Sequence, residues 1–386
     1  MLTNDGCLQR RKNLWKHLPE SVDWVLIGDS RHVQYFSNFR INPLSFSADQ
    51  RALVLLERNA TTLLTDNFSR RASVSEPFVE NEVTVSWYTH KKSVGNRDHA
   101  LVQALEECRP RWSNSKGIIE PEGVTQLVAE TVGPQSQSKF DDALTGQQTT
   151  IGNVIRGLRR QKLPDEVALL RRCMEATDAG HAAAFEMLRP GVTELDVYFA
   201  IRQAAEQQAG CACIVYGDFR ATNATQFKAG GLPTSYRLQD GDLFIADYSV
   251  ILNGYRSDFT NTMAVGTPTS DQVRQFEACR DAMLAAEATL NAGTAASAVY
   301  DAASNILVQR GFPALSHHCG HGLGLEHPEP PILVAQSDDS LLAGDVVTIE
   351  PGLYVEGVGG MRFEHNYLVT SDGFERLSHH HIGLTR

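Results

Sequence analysis

No stretch of this 386-residue chain approaches the roughly 18 consecutive apolar residues of a membrane-spanning helix, so the sequence predicts none. The opening residues, from Met1 to Cys7, hold no apolar core of the kind a secretory signal requires. Positive charge is scarce: 35 Lys and Arg stand against 46 Asp and Glu, a formal net charge of −11. That deficit argues against nucleic acid or an anionic membrane surface as the main partner. CxxC pairs are absent as well. The seven cysteines, at positions 7, 108, 173, 211, 213, 279 and 319, are odd in number and scattered, as expected of reduced, mostly buried thiols in a cytoplasmic protein. Cys211 and Cys213, two apart on an expected strand, read as a buried pair of small residues facing one way. No internal repeat or low-complexity tract is present, and no histidine occurs between His181 and His317.

At this length two domains are the default expectation, and 42% hydrophobic with 21% charged residues is an ordinary globular composition. Residues 1–150 alternate short apolar runs with polar helical patterns, which predicts an α/β domain. Branched-residue content and flanking turns mark strands at 22–28, 51–57 and 60–66, with helices at 8–18 and 98–108. Trp24, Trp87 and Trp112 fit core or interface positions. Residues 137–150 are polar and suit a connection, which places the domain boundary near residue 160. Pro164, Asp165 and Glu166 then open a strongly periodic helix that Arg189-Pro190-Gly191 stops. Thr193 and Asp196 cap the start of a second, which Gly210 ends; two more are expected over 271–290 and 296–310.

Five residues of this C-terminal half sit in short stretches built to aim a side chain: Asp247, Asp258, His321, Glu350 and Glu364. Asn253-Gly254, between two apolar, branched runs, is a strong hairpin signal. A two-residue loop pairs Leu252 with Tyr255, and hence Ser249 with Asp258 and Asp247 with Thr260. Asp247 and Asp258 then share a face as diagonal neighbours about 7–8 Å apart or less, near enough to close on a cation. The bland alternative is two solvated strand acids, but the run from Leu243 to Ala246 is too apolar for an exposed strand. Gly320-His321-Gly322 is a glycine-punctuated loop that lets backbone approach a ligand closely, although such a loop also suits a purely structural histidine. His317 and His318, just before it, read as loop or helix-end residues.

Glu350 ends a buried strand over 346–350, and residues 361–370 read as another strand with Arg362, Glu364 and Asn366 on one face. Arg362 is then the obvious partner for Glu364, whereas Glu350 has no comparable cation nearby in sequence. For the run His379-His380-His381, surface and site rim are both open. Four carboxylates converging in a fold core would repel one another unless divalent cations neutralised them. With one imidazole they make a hard, oxygen-rich set that suits two metal ions sharing bridging carboxylates, a device for activating water at neutral pH. Such donors favour Mn²⁺, with Zn²⁺, Co²⁺ or Fe²⁺ as alternatives.

In order and spacing these residues resemble those of the pita-bread-fold metallopeptidases: Xaa-Pro aminopeptidase, prolidase and methionine aminopeptidase, together with the non-peptidase creatinase. The resemblance runs from about Arg159 to the C terminus and fills all five family ligand positions. Residues 1–150 look like the creatinase/prolidase N-terminal domain, on a looser match around positions 10–65. The resemblance implies a two-domain α/β protein, with an α/β creatinase-like domain over 1–150 and an α+β pita-bread catalytic domain over 160–386. It also implies that Asp247 binds one metal, that His321 and Glu350 bind the other, and that Asp258 and Glu364 bridge ions about 3.5–4 Å apart.

Glu350 matches the family's general base, and His327 would steady the intermediate formed when a metal-bridging hydroxide attacks a peptide carbonyl. A homodimer is the family habit. There are two departures. Aligned on Pro233 and Gly241-Asp242, the family's upstream histidine falls on Gly230; the second histidine after the Gly-His-Gly loop comes one position early, as His327 before Pro328. Losing one hydrogen-bonding group of this kind lowers a rate by about 10²–10³. The leading expectation is a dinuclear hydrolase of the Xaa-Pro aminopeptidase or dipeptidase type, acting on short peptides. The alternatives are a creatinase-like hydrolase of a small non-peptide C–N substrate, which the missing histidine favours, and a catalytically weak metal-binding homologue.

Overall fold

The computed structural model describes residues 1–47, 50–92 and 95–386. The described chain divides into two units, Met1–Arg159 and Arg160–Arg386.

In the first unit six strands form a mixed sheet: β1 Trp24–Ile27, β2 Leu53–Glu57, β3 Thr61–Asp66, β4 Asn81–Val85, β5 Gly117–Ile119 and β6 Ser136–Gln137. Their order is β4-β3-β2-β1-β5-β6, with β1 antiparallel to β2 and parallel to β5. The three strands expected from branched-residue content are β1, β2 and β3, and the two expected helices run over Asn4–His17 and Asp98–Glu107. All of β1 and β3 is buried, β1 as an apolar run without polar alternation requires. Trp24 and Trp112 are buried together, edge to face at 6.3 Å. The expected connection over 137–150 holds structure of its own: β7 Phe140–Asp141 pairs with β8 Gln148–Thr149. The helix Ile151–Arg160 follows, which the sequence pattern did not announce.

The second unit opens with helix Pro164–Met187, whose Glu166 accepts the Leu163 N–H at 2.9 Å and the Tyr255 hydroxyl at 2.9 Å. Helix Glu194–Ala209 is capped by Thr193 Oγ1, which accepts the Asp196 N–H at 3.1 Å, and ends at Gly210 with φ +71°. Both lie against an antiparallel sheet in which β10 Leu243–Leu252 pairs with β9 Ile214–Thr222, β11 Tyr255–Arg256 and β12 Phe259–Ala264. Seven further strands follow: β13 Gly320–Gly322, β14 Glu329–Leu333, β15 Val346–Ile349, β16 Gly352–Val355, β17 Gly359–Arg362, β18 His365–Thr370 and β19 Gly373–Arg376. Five of them form a sheet in the order β14-β13-β15-β18-β19, and β16 with β17 makes a hairpin. Helices Ser270–Glu287 and Ala296–Gln309 share a core with Val347, Ile349, Met361 and Phe363.

Two expectations are corrected. Residues 361–370 are two strands in different sheets, because Phe363 turns into the core against Phe276 and the Glu364 N–H leaves the ladder to donate to Thr260 O. The apolar alternation runs on through the break, so nothing local marks it. Cys211 and Cys213 are no buried pair: Cys211 is exposed and Cys213 buried, and both precede β9.

Candidate metal centre

The centre begins with a turn. Asn253 (φ +48°) and Gly254 (φ +85°) supply the positive φ that a two-residue hairpin of matching twist demands. Leu252 pairs with Tyr255 and Asp247 with Thr260, the register expected. The ladder is interrupted at Ser257 and Asp258, where Ser257 Oγ accepts the Val250 N–H at 2.9 Å. Asn366 Oδ1 holds the Asp258 N–H at 3.2 Å, and Asp258 Oδ1 lies 3.4 Å from Ser249 Oγ. The turn and the interruption together bring Asp247 and Asp258 to one face.

His321 enters from β13. Its Nδ1 lies 2.9 Å from the Gly322 carbonyl, which can only accept, so Nδ1 carries a proton. In the neutral ring Nε2 then presents a lone pair, and it does so toward Asp258 Oδ2 at 3.6 Å and Glu350 Oε1 at 3.5 Å. A lone pair facing two carboxylate oxygens calls for a proton or a metal cation between them.

Glu350 follows β15, where its N–H donates to Cys319 O at 2.7 Å and its Oε1 accepts the Thr348 hydroxyl at 3.0 Å. Burial pushes its carboxyl up. The hydrogen bond from His318 and the neighbouring imidazoles outweigh burial and hold it well below the usual carboxylate range. Glu364 is the opposite case. Its Oε2 accepts the Thr260 hydroxyl at 2.7 Å, while Oε1 is buried with no partner. Burial, then the charges of Glu350, Asp258 and Asp247, push its carboxyl well up. Asp247 is also raised, by burial against the opposing charge of Arg362, with Asp258 and Glu350 adding to the rise.

Ligand atoms of Asp247, Asp258 and Glu364 lie within 4.8 Å of one another, as do those of His318, His321 and Glu350, and of Asp258, His321 and His327. The structure thus brings together all five residues singled out as ligands, and His327, whose Nε2 is 2.6 Å from Asp258 Oδ2. Burial lowers the His327 imidazole, but the Asp258 carboxylate outweighs it and the net shift is upward. The donor set is hard, anionic and under-neutralised, with one buried carboxylate oxygen left without a partner. It fits divalent cations.

His318 is the member that sequence reading missed. Its Nε2 stands 3.2 Å from Glu350 Oε1 and supplies a partner where Glu350 has no cation nearby in sequence, which was the available signal. Arg362 is corrected. Past the break at Phe363 it cannot serve Glu364; it reaches Asp247 Oδ2 instead, with Asp218 Oδ2 at 3.5 Å and the Tyr354 hydroxyl at 2.6 Å. Asp218 sits opposite Asp247 in the β9–β10 register, and an ideal Cβ on Gly230 would lie 3.0 Å from Asp218 Oδ2. The tail is divided. His379 and His381 are exposed, whereas His380 is buried, stacked 4.6 Å from both His181 and Phe259.

The model of "Metallopeptidase family M24" matches residues 168–371. An uncharacterized peptidase of Staphylococcus aureus (strain USA300) is 32% identical over 274 residues, covering 68% of this chain and 76% of that one. Among solved structures, the Xaa-Pro dipeptidase from Bacillus anthracis superposes with a TM-score of 0.77 at 21% identity, over 98% of this chain and 99% of that one. The X-Pro aminopeptidase from Thermotoga maritima gives 0.75 at 18%, over 100% of this chain and 99% of that one. The prolidase from Pyrococcus horikoshii OT3 gives 0.73 at 23%, over 98% and 99%. The expected two-domain, pita-bread type of fold is therefore the observed one.

Proposed function

The chain belongs to metallopeptidase family M24, a family of divalent-metal-dependent peptidases, and from that membership we propose a dinuclear centre held by Asp247, Asp258, His321, Glu350 and Glu364. Asp247 would serve one ion, His321 and Glu350 the other, and Asp258 and Glu364 would be shared. The observation that carries this reading is the buried, unpartnered Oε1 of Glu364 among three further carboxylates. An oxygen-rich set with a single imidazole favours Mn²⁺.

Bound cations supply an acidified water and an electrophile for the peptide carbonyl. The chain's own groups do the rest. Glu350, kept ionised by His318, accepts a proton from the attacking water and returns it to the leaving amine. His327, at the edge of the carboxylate cluster, would donate to the oxygen on which charge develops. Arg362, steadied by the Tyr354 hydroxyl, fixes the rotamer of Asp247. The substrates proposed are short Xaa-Pro peptides, cut at an N-terminal or dipeptide bond. Residues 1–150 serve as the creatinase/prolidase-like N-terminal domain and 160–386 as the catalytic domain of a cytoplasmic homodimer, in each chain of which six of the seven free cysteines are buried.

A second reading, hydrolysis of a small non-peptide C–N substrate, is favoured by Gly230, where a side chain that could hold a scissile amide is absent. Metal analysis of the purified protein, followed by assays on Ala-Pro and Xaa-Pro-Xaa peptides with added Mn²⁺, tests both. Bound metal with peptide turnover supports the first reading. Metal without turnover supports the second, and no metal removes both.

A further inference from the structure

A cavity of about 380 Å³ is lined by Lys228, Ala229, Gly230, Ser316 and Tyr354. Its relation to the metal centre runs through two side chains. The Tyr354 hydroxyl on its wall receives Arg362, and the same guanidinium holds Asp247. Gly230 on its wall lies against Asp218, which faces Asp247 across β9 and β10.

The charges at the two ends are opposite. On the metal side stand Asp218, Asp247, Asp258, Glu350 and Glu364, and Arg362 is already engaged by Asp247 and Asp218. Among the described residues Lys228 is the one charged group lining the cavity. It is exposed, with its ammonium 5.9 Å from the Phe227 ring. Beside it the lining offers the Ser316 hydroxyl and little bulk, since Ala229 and Gly230 carry at most a methyl group.

Resting on the peptidase reading above, we infer that Lys228 is a specificity-determining residue that anchors the free carboxylate of a dipeptide in this cavity. Two residues span at most about 7 Å. In the inferred pose a dipeptide has its amine toward the acidic end and its carboxylate at Lys228, with Ser316 Oγ as a second donor. Charge-assisted hydrogen bonds to a carboxylate are about twice as strong as neutral ones. A C-terminal amide or a longer chain forfeits that contact. The chain is thereby tuned toward dipeptides over longer peptides, and its discrimination resides in substrate binding more than in the chemical step.

The test uses the full-length, Mn²⁺-loaded protein, the reduced-amide analogue of Ala-Pro, and the C-terminal carboxamide of that analogue, measured by calorimetry. Alongside it run kcat and KM for Ala-Pro and for Ala-Pro-amide. The wild type is expected to bind the free acid about tenfold more tightly than the carboxamide, a gap set by one charge-assisted contact. Lys228→Met should collapse that preference toward unity, mainly through KM, and Lys228→Arg should restore most of it. Matching circular dichroism for the variants excludes misfolding as the cause. A wild type that cleaves both forms without preference, or a Lys228→Met variant that keeps the preference, overturns the inference and leaves the peptidase reading standing. Lys228-dependent preference for the acid without any cleavage does the reverse. Failure to bind either analogue overturns both.

Discussion

Each unit of this chain buries a glutamate, and the two sites are completed differently. In the first, both oxygens of Glu120 are used. Oε2 accepts the N–H groups of Gly28 at 2.9 Å and Asp29 at 2.7 Å, and Oε1 meets His32 Nδ1. His32 in turn has its Nε2 3.1 Å from Arg159. In the second, Glu364 is equally buried, yet one oxygen has no partner and its charged neighbours are carboxylates. An uncompensated buried charge costs several kcal/mol. The first network closes on the protein's own donors and is structural. The second does not close on the protein's own donors; on the proposed reading a divalent cation completes it.

The contrast breaks most visibly at Asp258. Asp258→Ala should strip the centre of metal and lower peptide turnover by a factor on the order of 10⁴, read by elemental analysis and a coupled amine assay. Full activity in that variant would contradict the ligand assignment. Glu120→Ala should act the other way round. It leaves the metal content of the folded protein intact while costing about 3–5 kcal/mol of unfolding free energy in urea, because His32 and the Gly28 and Asp29 N–H groups lose their buried acceptor. Metal loss in that variant would erase the distinction between the two networks.

A third prediction concerns imidazoles that belong to neither network. His181, His365 and His380 pack together in the second unit, and burial holds His181 at about 4 and His365 at about 3. Unfolded imidazoles titrate near 6.5. A depressed folded value gives stability that is present above about pH 6.5 and lost as pH falls toward 4, up to about 3 kcal/mol for His181 alone. Urea midpoints should fall over that window, and His380→Phe should make the slope shallower by about one proton. An unchanged slope would place these rings in water. The smallest effect is expected at the hairpin: Gly254 holds φ +85°, so Gly254→Ala should cost about 1 kcal/mol with the metal stoichiometry kept.

The features legible in the sequence were those governed by short-range rules. The Asn253-Gly254 turn dictates its own register, Leu252 with Tyr255 and Asp247 with Thr260, whereas the interruption at Ser257 and Asp258 replaces the expected pairing of Ser249 with Asp258. Thr193 and Gly210 bound their helix by capping alone. What escaped was set by partners far along the chain. The break at Glu364 is made by Thr260, 104 residues earlier. Arg362 finds Asp247 at a separation of 115. His380 becomes core because Phe259 and His181 flank it, and nothing in a run of three histidines distinguishes its middle member.

Anomalous diffraction from crystals grown with Mn²⁺ tests the central claim most directly. Two peaks are expected, both among Asp247, Asp258, His321, Glu350 and Glu364, with Glu364 Oε1 in contact with one of them. A map with no peak there, and Glu364 satisfied by a protein donor or an ordered water, would contradict it.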